Sequence, residues 1–196
     1  MRNVLLCLVL AAVLTPAAAS AQDRPLGAPV QKVDKTDKQR VDELFAELKK
    51  TTNDRAAGRV ASRISERWNN SGSASIDLMM QWSKKAMDEQ KWDVALDFLD
   101  QVTTMKPDYA EGWNRRATVH FMMQNFAKSM ADIERTLELE PRHFGALAGM
   151  GQIFKVRGNK EMALSAYSRV LDVYPMMREA QNEVSSLSEE MAGEAI

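Results

Sequence analysis

Apolar residues recur at helical spacing along most of the chain and define pairs of amphipathic segments separated by short polar turns. Ala95, Leu99 and Val102 fall on one helical face, and Ala163 and Tyr167 repeat the pattern further along. Segments of about fourteen residues with this period are amphipathic α-helices, because residues three and four apart share a face. The pattern therefore predicts an all-α fold built from helical hairpins.

The helical pairs recur with a fixed period. Pro107, Pro141 and Pro175 lie 34 residues apart, and each follows the second segment of a pair. Proline ends a helix because its ring clashes with the preceding turn and its nitrogen carries no hydrogen. A single pair cannot bury its own apolar stripe, so neighbouring pairs are expected to stack into a solenoid.

The residues between the prolines resemble the tetratricopeptide repeat (TPR), a helix–turn–helix unit of about 34 residues. In the third unit, the Gly, Tyr, Gly, Ala, Phe, Ala and Pro places of the TPR pattern hold Gly151, Phe154, Gly158, Ala163, Tyr167, Val170 and Pro175. In the first unit, the corresponding places are assigned to Trp82, Ala86, Ala95, Leu99, Val102 and Pro107. The middle unit keeps Trp113, Ala117, Ile133 and Pro141, with His120 and Ser129 replacing the usual Tyr and Ala. The resemblance implies a right-handed TPR helical-hairpin solenoid.

The remaining segments are predicted to close the two ends of the stack. We predict TPR units at residues 76–109, 110–143 and 144–177. Residues 37–73 are predicted as a degenerate N-terminal helical pair that caps the stack, since terminal repeats are commonly atypical. Residues 178–196 are predicted as a C-terminal capping helix whose tail frays from Gly193 onward.

The first 21 residues have a different pattern. Arg2 precedes an apolar run from Val4 to Leu14, and Ala19-Ser20-Ala21 gives the small-x-small pattern of a cleavage site. These features are typical of a secretory signal peptide, which we predict to be cleaved after Ala21. The apolar run is about half of the ~20 residues that span a bilayer, so stable membrane insertion is not expected. Residues 22–36 are predicted as a flexible leader.

Composition narrows the classes of partner. The chain has a formal net charge of −1, with 26 basic and 27 acidic residues. A nucleic-acid-binding protein needs a basic stripe, so nucleic acid is not an expected partner. The single cysteine, Cys7, lies within the predicted signal peptide, so the mature chain is expected to have no disulfide.

Candidate catalytic and metal-binding residues are few. The predicted mature chain has two histidines and no cysteine, which leaves little for a nucleophile and its base. His120 is predicted to pack between helices, whereas His143 is predicted to be exposed or to cap a helix. The two histidines lack partners at metal-ligand spacing, and the methionines are scattered rather than clustered. We therefore expect no enzyme activity, no metal and no cofactor.

The concave surface of a TPR stack is lined by the first helix of each unit and suits a peptide or a partner helix. The resemblance places ten candidate partner-binding residues there: Met80, Lys84, Met87, Asn114, Arg115, Thr118, Phe121, Met122, Gln152 and Lys155. An amide at Asn114 can bond a peptide backbone, and a guanidinium at Arg115 can bind a carboxylate. Some TPR proteins capture a C-terminal carboxylate with Lys and Asn residues. This chain resembles that clamp only in part, because Gly145 and Gly149 stand where basic residues are needed.

From Pro107 to Gly149 the chain also resembles small exported TPR proteins of Gram-negative bacteria, particularly alphaproteobacteria. That resemblance implies a soluble periplasmic protein. We therefore expect a non-catalytic adaptor that holds a peptide or helix of a cell-envelope protein in the concave groove. Two alternatives stay open: a chaperone-like or assembly factor for envelope proteins, and a self-associating structural module whose groove is filled by another copy or by its own leader.

Overall fold

The computed structural model describes residues 36–194, and this part of the chain contains α-helices joined by links of three to five residues. The helices are α1 Asp37–Lys50, α2 Asp54–Trp68, α3 Ala74–Asp88, α4 Trp92–Met105, α5 Ala110–Met122, α6 Phe126–Leu139, α7 Phe144–Val156, α8 Lys160–Val173 and α9 Arg178–Glu194. The predicted signal peptide, and all of the predicted leader except its last residue, lie outside the described residues. The predicted all-α stack of helical hairpins is confirmed.

Local sequence signals explain where several helices begin. Thr36 and Gln39 form a capping box at α1, in which the Thr36 hydroxyl accepts from the Gln39 backbone N–H and the Gln39 side chain accepts in return. Asn53 caps α2 and Asn159 caps α8 by the same kind of side-chain acceptance. Each cap satisfies an N–H that the first helical turn leaves without an intrahelical partner.

The three central hairpins, α3–α4, α5–α6 and α7–α8, repeat the 34-residue period in space. Helices α4, α6 and α8 begin at Trp92, Phe126 and Lys160, each 34 residues after the last. Within the third hairpin, a Cβ at Gly151 would lie 2.9 Å from the Tyr167 ring, so only glycine lets α7 and α8 approach this closely. The Gly place of the repeat pattern at Gly151 thus serves the packing of the two helices.

The turns inside these hairpins share one backbone feature. Gln90, Gln124 and Gly158 occupy equivalent places in the three turns and have φ values of 57°, 60° and 74°. The left-handed region is unstrained for glycine but costs energy for a residue with a Cβ. The turn geometry is therefore imposed by the packing of the helices, and glutamine adopts it in two of the three units.

The register corrects the place assigned to one aromatic residue. Trp113 of α5 aligns with Met79 of α3 and Leu147 of α7, and both of these equivalents are buried. Trp82 lies three positions later in the repeat than Trp113 and is 46% exposed. Trp82 and Trp113 are therefore not equivalent, and the place assigned to Trp82 from the sequence is corrected by this three-residue offset from the 34-residue register.

The N-terminal helical pair packs against the later repeats. Its core of α1 and α2 residues is extended by Phe144, Val173, Tyr174 and Met176, which come from the region between α6 and α9. Arg142 reinforces this contact through an ion pair to Asp42 at 2.8 Å.

The N-terminal helical pair was predicted to cap the N-terminal end of the stack, but it packs against the later repeats instead. Gly72, in the link between α2 and α3, has a φ of 76°, and such a turn is accessible to glycine without strain. The link is pinned by the Ser71 backbone N–H, which donates to the Asp77 carboxylate at 2.9 Å. The contacts that place the pair join residues about a hundred positions apart, and local periodicity carries no information about them.

Helix α9 packs against α8. Ala180 and Leu187 are buried against α8, together with the half-buried Met177 and Val184. The helix continues to Glu194, beyond the point at Gly193 where fraying was expected. None of the described helices combines the length and apolar character required to cross a bilayer.

Candidate functional site

A concave surface between α5 and α7, closed at one side by the start of α9, is a candidate site. We call it the α5–α7 groove, and its cavity is about 310 Å³. Its lining residues are Asn114, Ala117, Thr118, Phe121, Ser129, Ile133, Gly145, Ala146, Ala148, Gly149, Gln152, Met177 and Glu179. An apolar floor with a few polar groups at the edge is the usual character of a ligand site in proteins.

Small residues on α7 give the groove its depth. Gly145 and Gly149 lie one helical turn apart on the side of α7 that faces α5. A Cβ at Gly149 would lie 3.4 Å from the Ile133 side chain, so the missing side chain exposes the apolar layer beneath. Phe121 forms the opposite wall and is held by Phe126, with ring centroids 5.6 Å apart.

The polar edge of the groove is partly committed to contacts within the protein. Asn114 donates to the Glu111 carboxylate at 3.1 Å, and its side-chain oxygen is an acceptor. Gln152 accepts from the Tyr167 hydroxyl at 3.0 Å through its side-chain oxygen, so its NH₂ group is the part that can donate to a ligand. These two amides can bond the backbone of a bound segment.

Arg115 and Met80, which the sequence analysis placed in the groove, serve the structure instead. Met80 is 3% exposed and belongs to the core between α3 and α4. The Arg115 guanidinium donates to the Met80 carbonyl at 3.1 Å, to Asn69 at 2.6 Å and to Glu111 at 3.0 Å. With these partners Arg115 ties the end of α2 to α3 and α5, so the proposed carboxylate fork is already occupied.

The two predicted lysines also have acidic neighbours. Lys84 contacts Asp88 at 2.6 Å on its own helix, and Lys155 contacts Glu183 of α9 at 2.6 Å. Lys84, Lys155 and Arg115 are absent from the lining of the α5–α7 groove. A clamp that concentrates positive charge on a carboxylate is therefore not assembled by the predicted residues.

The other six predicted partner-binding residues lie either in the lining of the α5–α7 groove or outside it. Asn114, Thr118, Phe121 and Gln152 line the α5–α7 groove. Met122 follows them on α5 and is 52% exposed outside the lining. Met87 packs half-buried against the α3–α4 core. Sequence reasoning missed Met177, which lies in the link between α8 and α9, and Glu179, which lies at the start of α9.

A buried polar cluster beside the groove was also missed. His143 is 2% exposed, caps α7 by accepting from the Ala146 N–H at 3.1 Å, and lies 3.2 Å from the Glu111 carboxylate. Since its Nδ1 accepts, its Nε2 carries the hydrogen and donates to Glu111. Of the two alternatives for His143, capping is confirmed. Trp68 of α2 stacks on its ring with centroids 4.1 Å apart, so the N-terminal pair seals the cluster.

Glu111 is held ionised inside this cluster. Burial alone would raise the pKa of its carboxyl group, but the hydrogen bond from His143 and the charge of Arg115 outweigh burial and lower the pKa. A carboxylate with these partners orients the start of α5 and of α7 relative to each other. The cluster is therefore a structural support for the groove.

The other histidine behaves as predicted. His120 is 7% exposed and packs between helices, with its Nε2 4.0 Å from the Asp132 carboxylate and its Nδ1 buried without a hydrogen-bond partner. Burial lowers the pKa of His120, which keeps the ring neutral at pH 7. Within residues 36–194, no group of three His, Cys, Asp or Glu side chains is arranged to hold a metal ion.

A protein of similar sequence also contains TPR repeats. A TPR repeat-containing protein of Rhizobium etli is 47% identical over 179 residues, which are 91% of this chain and 88% of that protein. The chain belongs to the TPR family. The resemblance to TPR proteins of alphaproteobacteria is thereby confirmed, although no protein-family model matches this TPR chain.

Solved structures of similar fold are also TPR domains. The first TPR domain of Spaghetti (RPAP3), bound to an HSP90 peptide, has a TM-score of 0.58 at 24% identity and covers 61% of this TPR chain and 95% of that domain. The TPR2B domain of yeast Sti1, in a complex with pHsp70, has a TM-score of 0.56 at 17% identity, covering 60% and 99% respectively. At these identities the likeness shows the shared fold.

Proposed function

We propose that this protein is a non-catalytic adaptor that binds a peptide or helix of a cell-envelope protein in the α5–α7 groove. The observation that carries the proposal is the groove itself, whose apolar floor lies beneath Gly149 and whose edge holds the amides of Asn114 and Gln152. TPR domains typically mediate protein–protein or peptide binding, and they are generally non-catalytic modules. The two histidines of the chain are engaged in packing and capping, which is consistent with such a role.

The chemistry of the groove defines the segment that fits it. Phe121, Ile133 and Met177 favour apolar side chains, while Asn114 and Gln152 can bond backbone groups. Because Arg115 is engaged by three partners, a terminal carboxylate has no clamp at this place. We therefore propose an internal apolar segment of the partner as the ligand, and a C-terminal carboxylate is not required.

A groove-filling variant and a matched control test the adaptor role. Thr118→Trp places a bulky ring in the groove from an exposed position on α5, whereas Thr104→Trp makes the same change at an exposed position on α4. Partners are captured from an envelope extract of the source cells with the chain from Gln22 onward. The proposal expects one or two proteins retained by the native chain and the α4 variant and lost from the α5 variant.

Other outcomes of the capture have definite meanings. Equal retention by all three chains would contradict binding in the α5–α7 groove. Retention of many unfolded proteins, lost from the α5 variant, would favour the chaperone-like alternative. Methionine side chains can adapt to varied apolar side chains of a ligand. Met177 lines the groove and Met122 lies on α5 outside the lining, and these methionines support the chaperone-like alternative.

We further propose that the protein acts in the periplasm. The support is the signal-peptide pattern of residues 1–21, with Ala19-Ser20-Ala21 before the predicted cleavage site. Cell fractionation and N-terminal sequencing test this proposal. A chain that starts at Gln22 in the periplasmic fraction is expected, and an uncleaved chain in the cytoplasm would contradict it.

A further inference from the structure

The edge of the α5–α7 groove carries a negative charge without a partner. Among the described residues of the lining, Glu179 is the charged one, and it lies exposed in the first turn of α9. Its carboxylate has no hydrogen bond or ion pair within residues 36–194. The cations beside the groove are paired, Lys155 with Glu183 at 2.6 Å and Arg178 with Asp54 at 2.6 Å. The charge of Glu179 is therefore available to a ligand.

This negative charge also acts inside the groove. Tyr167 is buried, and its hydroxyl donates to Gln152 of the lining at 3.0 Å. Burial raises the pKa of Tyr167, and the charges of Glu183 and Glu179 raise it further. The described lining has no positive charge of its own, so its field favours a ligand that brings one.

The hydrogen-bonding groups of the lining favour a ligand that donates. The Thr118 hydroxyl donates to the Asn114 carbonyl at 3.1 Å, and the Asn114 amide donates to Glu111 at 3.1 Å. The side-chain oxygens of Thr118 and Asn114 are left to accept, and the Glu179 carboxylate can only accept. The donors left are the NH₂ group of Gln152 and the second hydrogen of the Asn114 amide. Lysine and arginine side chains, which have several donors and no acceptor, match this surplus of acceptors.

The acceptors and the apolar wall lie toward opposite ends of the groove. Asn114 and Glu179 lie near the starts of α5 and α9, whereas Phe121 lies near the end of α5. Asn114 and Phe121 are seven positions apart on one helix, which is about 10 Å along its axis. A bound chain covers that distance in about three residues if it is extended and about seven if it is helical.

We propose that the segment bound in the α5–α7 groove carries a lysine or arginine that pairs with Glu179, at one end of an apolar stretch that packs against Phe121. This ligand class rests on the adaptor role proposed for the groove, and it makes Glu179 the residue that selects the segment. An acidic segment is disfavoured at the same place. The preferred charge is thus opposite to that of a ligand held by a carboxylate clamp.

Selection from a displayed library of random peptides of about ten residues, flanked by glycine and serine, tests the ligand class. The bait is the chain from Gln22 onward. The native bait is expected to enrich peptides with a lysine or arginine beside an apolar stretch, and Glu179→Lys is expected to enrich aspartate or glutamate there instead. Glu189→Lys makes the same charge change on α9 outside the lining, so it should select the same peptides as the native chain.

A charge exchange with one selected peptide measures the pair. A second peptide has glutamate in place of the basic residue, and fluorescence anisotropy gives the affinity of each. The native chain and Glu189→Lys should bind the basic peptide about 5-fold more tightly, as for an ion pair at the edge of a site. Glu179→Lys should reverse the preference, which a loss of folding cannot do. Both preferences should shrink at about 1 M salt, because exposed charges are screened.

The results that contradict this ligand class differ from those that contradict the adaptor role. Peptides that lose binding with Thr118→Trp lie in the groove. If such peptides show no excess of basic residues, or bind Glu179→Lys as they bind the native chain, the ligand class is wrong and the groove remains a binding site. An excess of acidic residues would also overturn it. A native chain that selects no peptide would contradict both proposals.

Discussion

The ion pair between Arg116 and Asp132 offers a quantitative test of how the two helices of the α5–α6 hairpin are held together. Asp132 is 4% exposed and receives two hydrogen bonds from Arg116, at 2.8 Å and 2.7 Å. The equivalent positions in the third unit are Met150 and Ala166, an apolar pair in the same packing environment. The register therefore supplies an apolar replacement that this fold already accommodates.

The expected magnitudes follow from what each variant leaves behind. Arg116→Met strands a buried carboxylate and should cost about 3–5 kcal/mol of unfolding free energy. Asp132→Ala leaves Arg116 with Asp100 as a partner, so its cost should be about 2 kcal/mol. The double variant should lie within about 1 kcal/mol of the native chain, because apolar residues replace the whole pair. The coupling energy is then at least about 3 kcal/mol.

Urea unfolding followed by circular dichroism measures all four chains. His120 lies 4.0 Å from Asp132 and supplies an internal check, because protonation of His120 gives the stranded carboxylate a new cation. The cost of Arg116→Met should therefore shrink as the pH falls and His120 takes up a proton. Additive single costs, or a cost of Arg116→Met below about 1 kcal/mol, would refute the reasoning.

Two further predictions concern residues that the repeat positions determine. Gly151→Ala should lower the unfolding free energy by about 1–2 kcal/mol because its Cβ would meet the Tyr167 ring at 2.9 Å. Gly149→Ala serves as the control, because its Cβ would be 3.4 Å from Ile133. This variant should be neutral or stabilising, since alanine has the higher helix propensity. Equal urea midpoints for the two variants would contradict the packing argument. Burial lowers the pKa of His120, so the unfolded chain binds the proton more readily and stability from this group is lost as the pH falls below about 6.5. His120→Phe should therefore lose less stability than the native chain between about pH 7.5 and pH 5, and an unchanged pH dependence would refute that assignment.

Much of the fold follows from short-range signals in the sequence. The apolar spacing of Ala57, Val60, Ala61 and Ile64 indicates a helix within the predicted N-terminal pair, and α2 spans Asp54–Trp68 with these residues buried. Such agreement arises because amphipathic spacing and capping residues act within one or two turns. The contact between Gly151 and Tyr167 was also predictable, because both residues lie in one repeat unit and the repeat pattern fixes their places in its two helices.

The site was less predictable because its decisive contacts join distant segments. Arg115 binds Asn69, 46 residues earlier, and that single contact removes its guanidinium from the groove. His143 reaches Glu111 across 32 residues and is then covered by Trp68. Nothing in the local pattern distinguishes a surface arginine from one that ties two helices together. Four of the ten candidate residues, Asn114, Thr118, Phe121 and Gln152, therefore line the α5–α7 groove, whereas the guanidinium of Arg115 is occupied elsewhere.

Site-specific photo-crosslinking is the most direct test of binding in the α5–α7 groove. A photoreactive phenylalanine analogue replaces Thr118 in one chain and Thr104 in another, and both are expressed in the source cells and irradiated. The account predicts one discrete adduct from position 118 and none from position 104. The same adduct from both positions, or an adduct from position 104 alone, would contradict it.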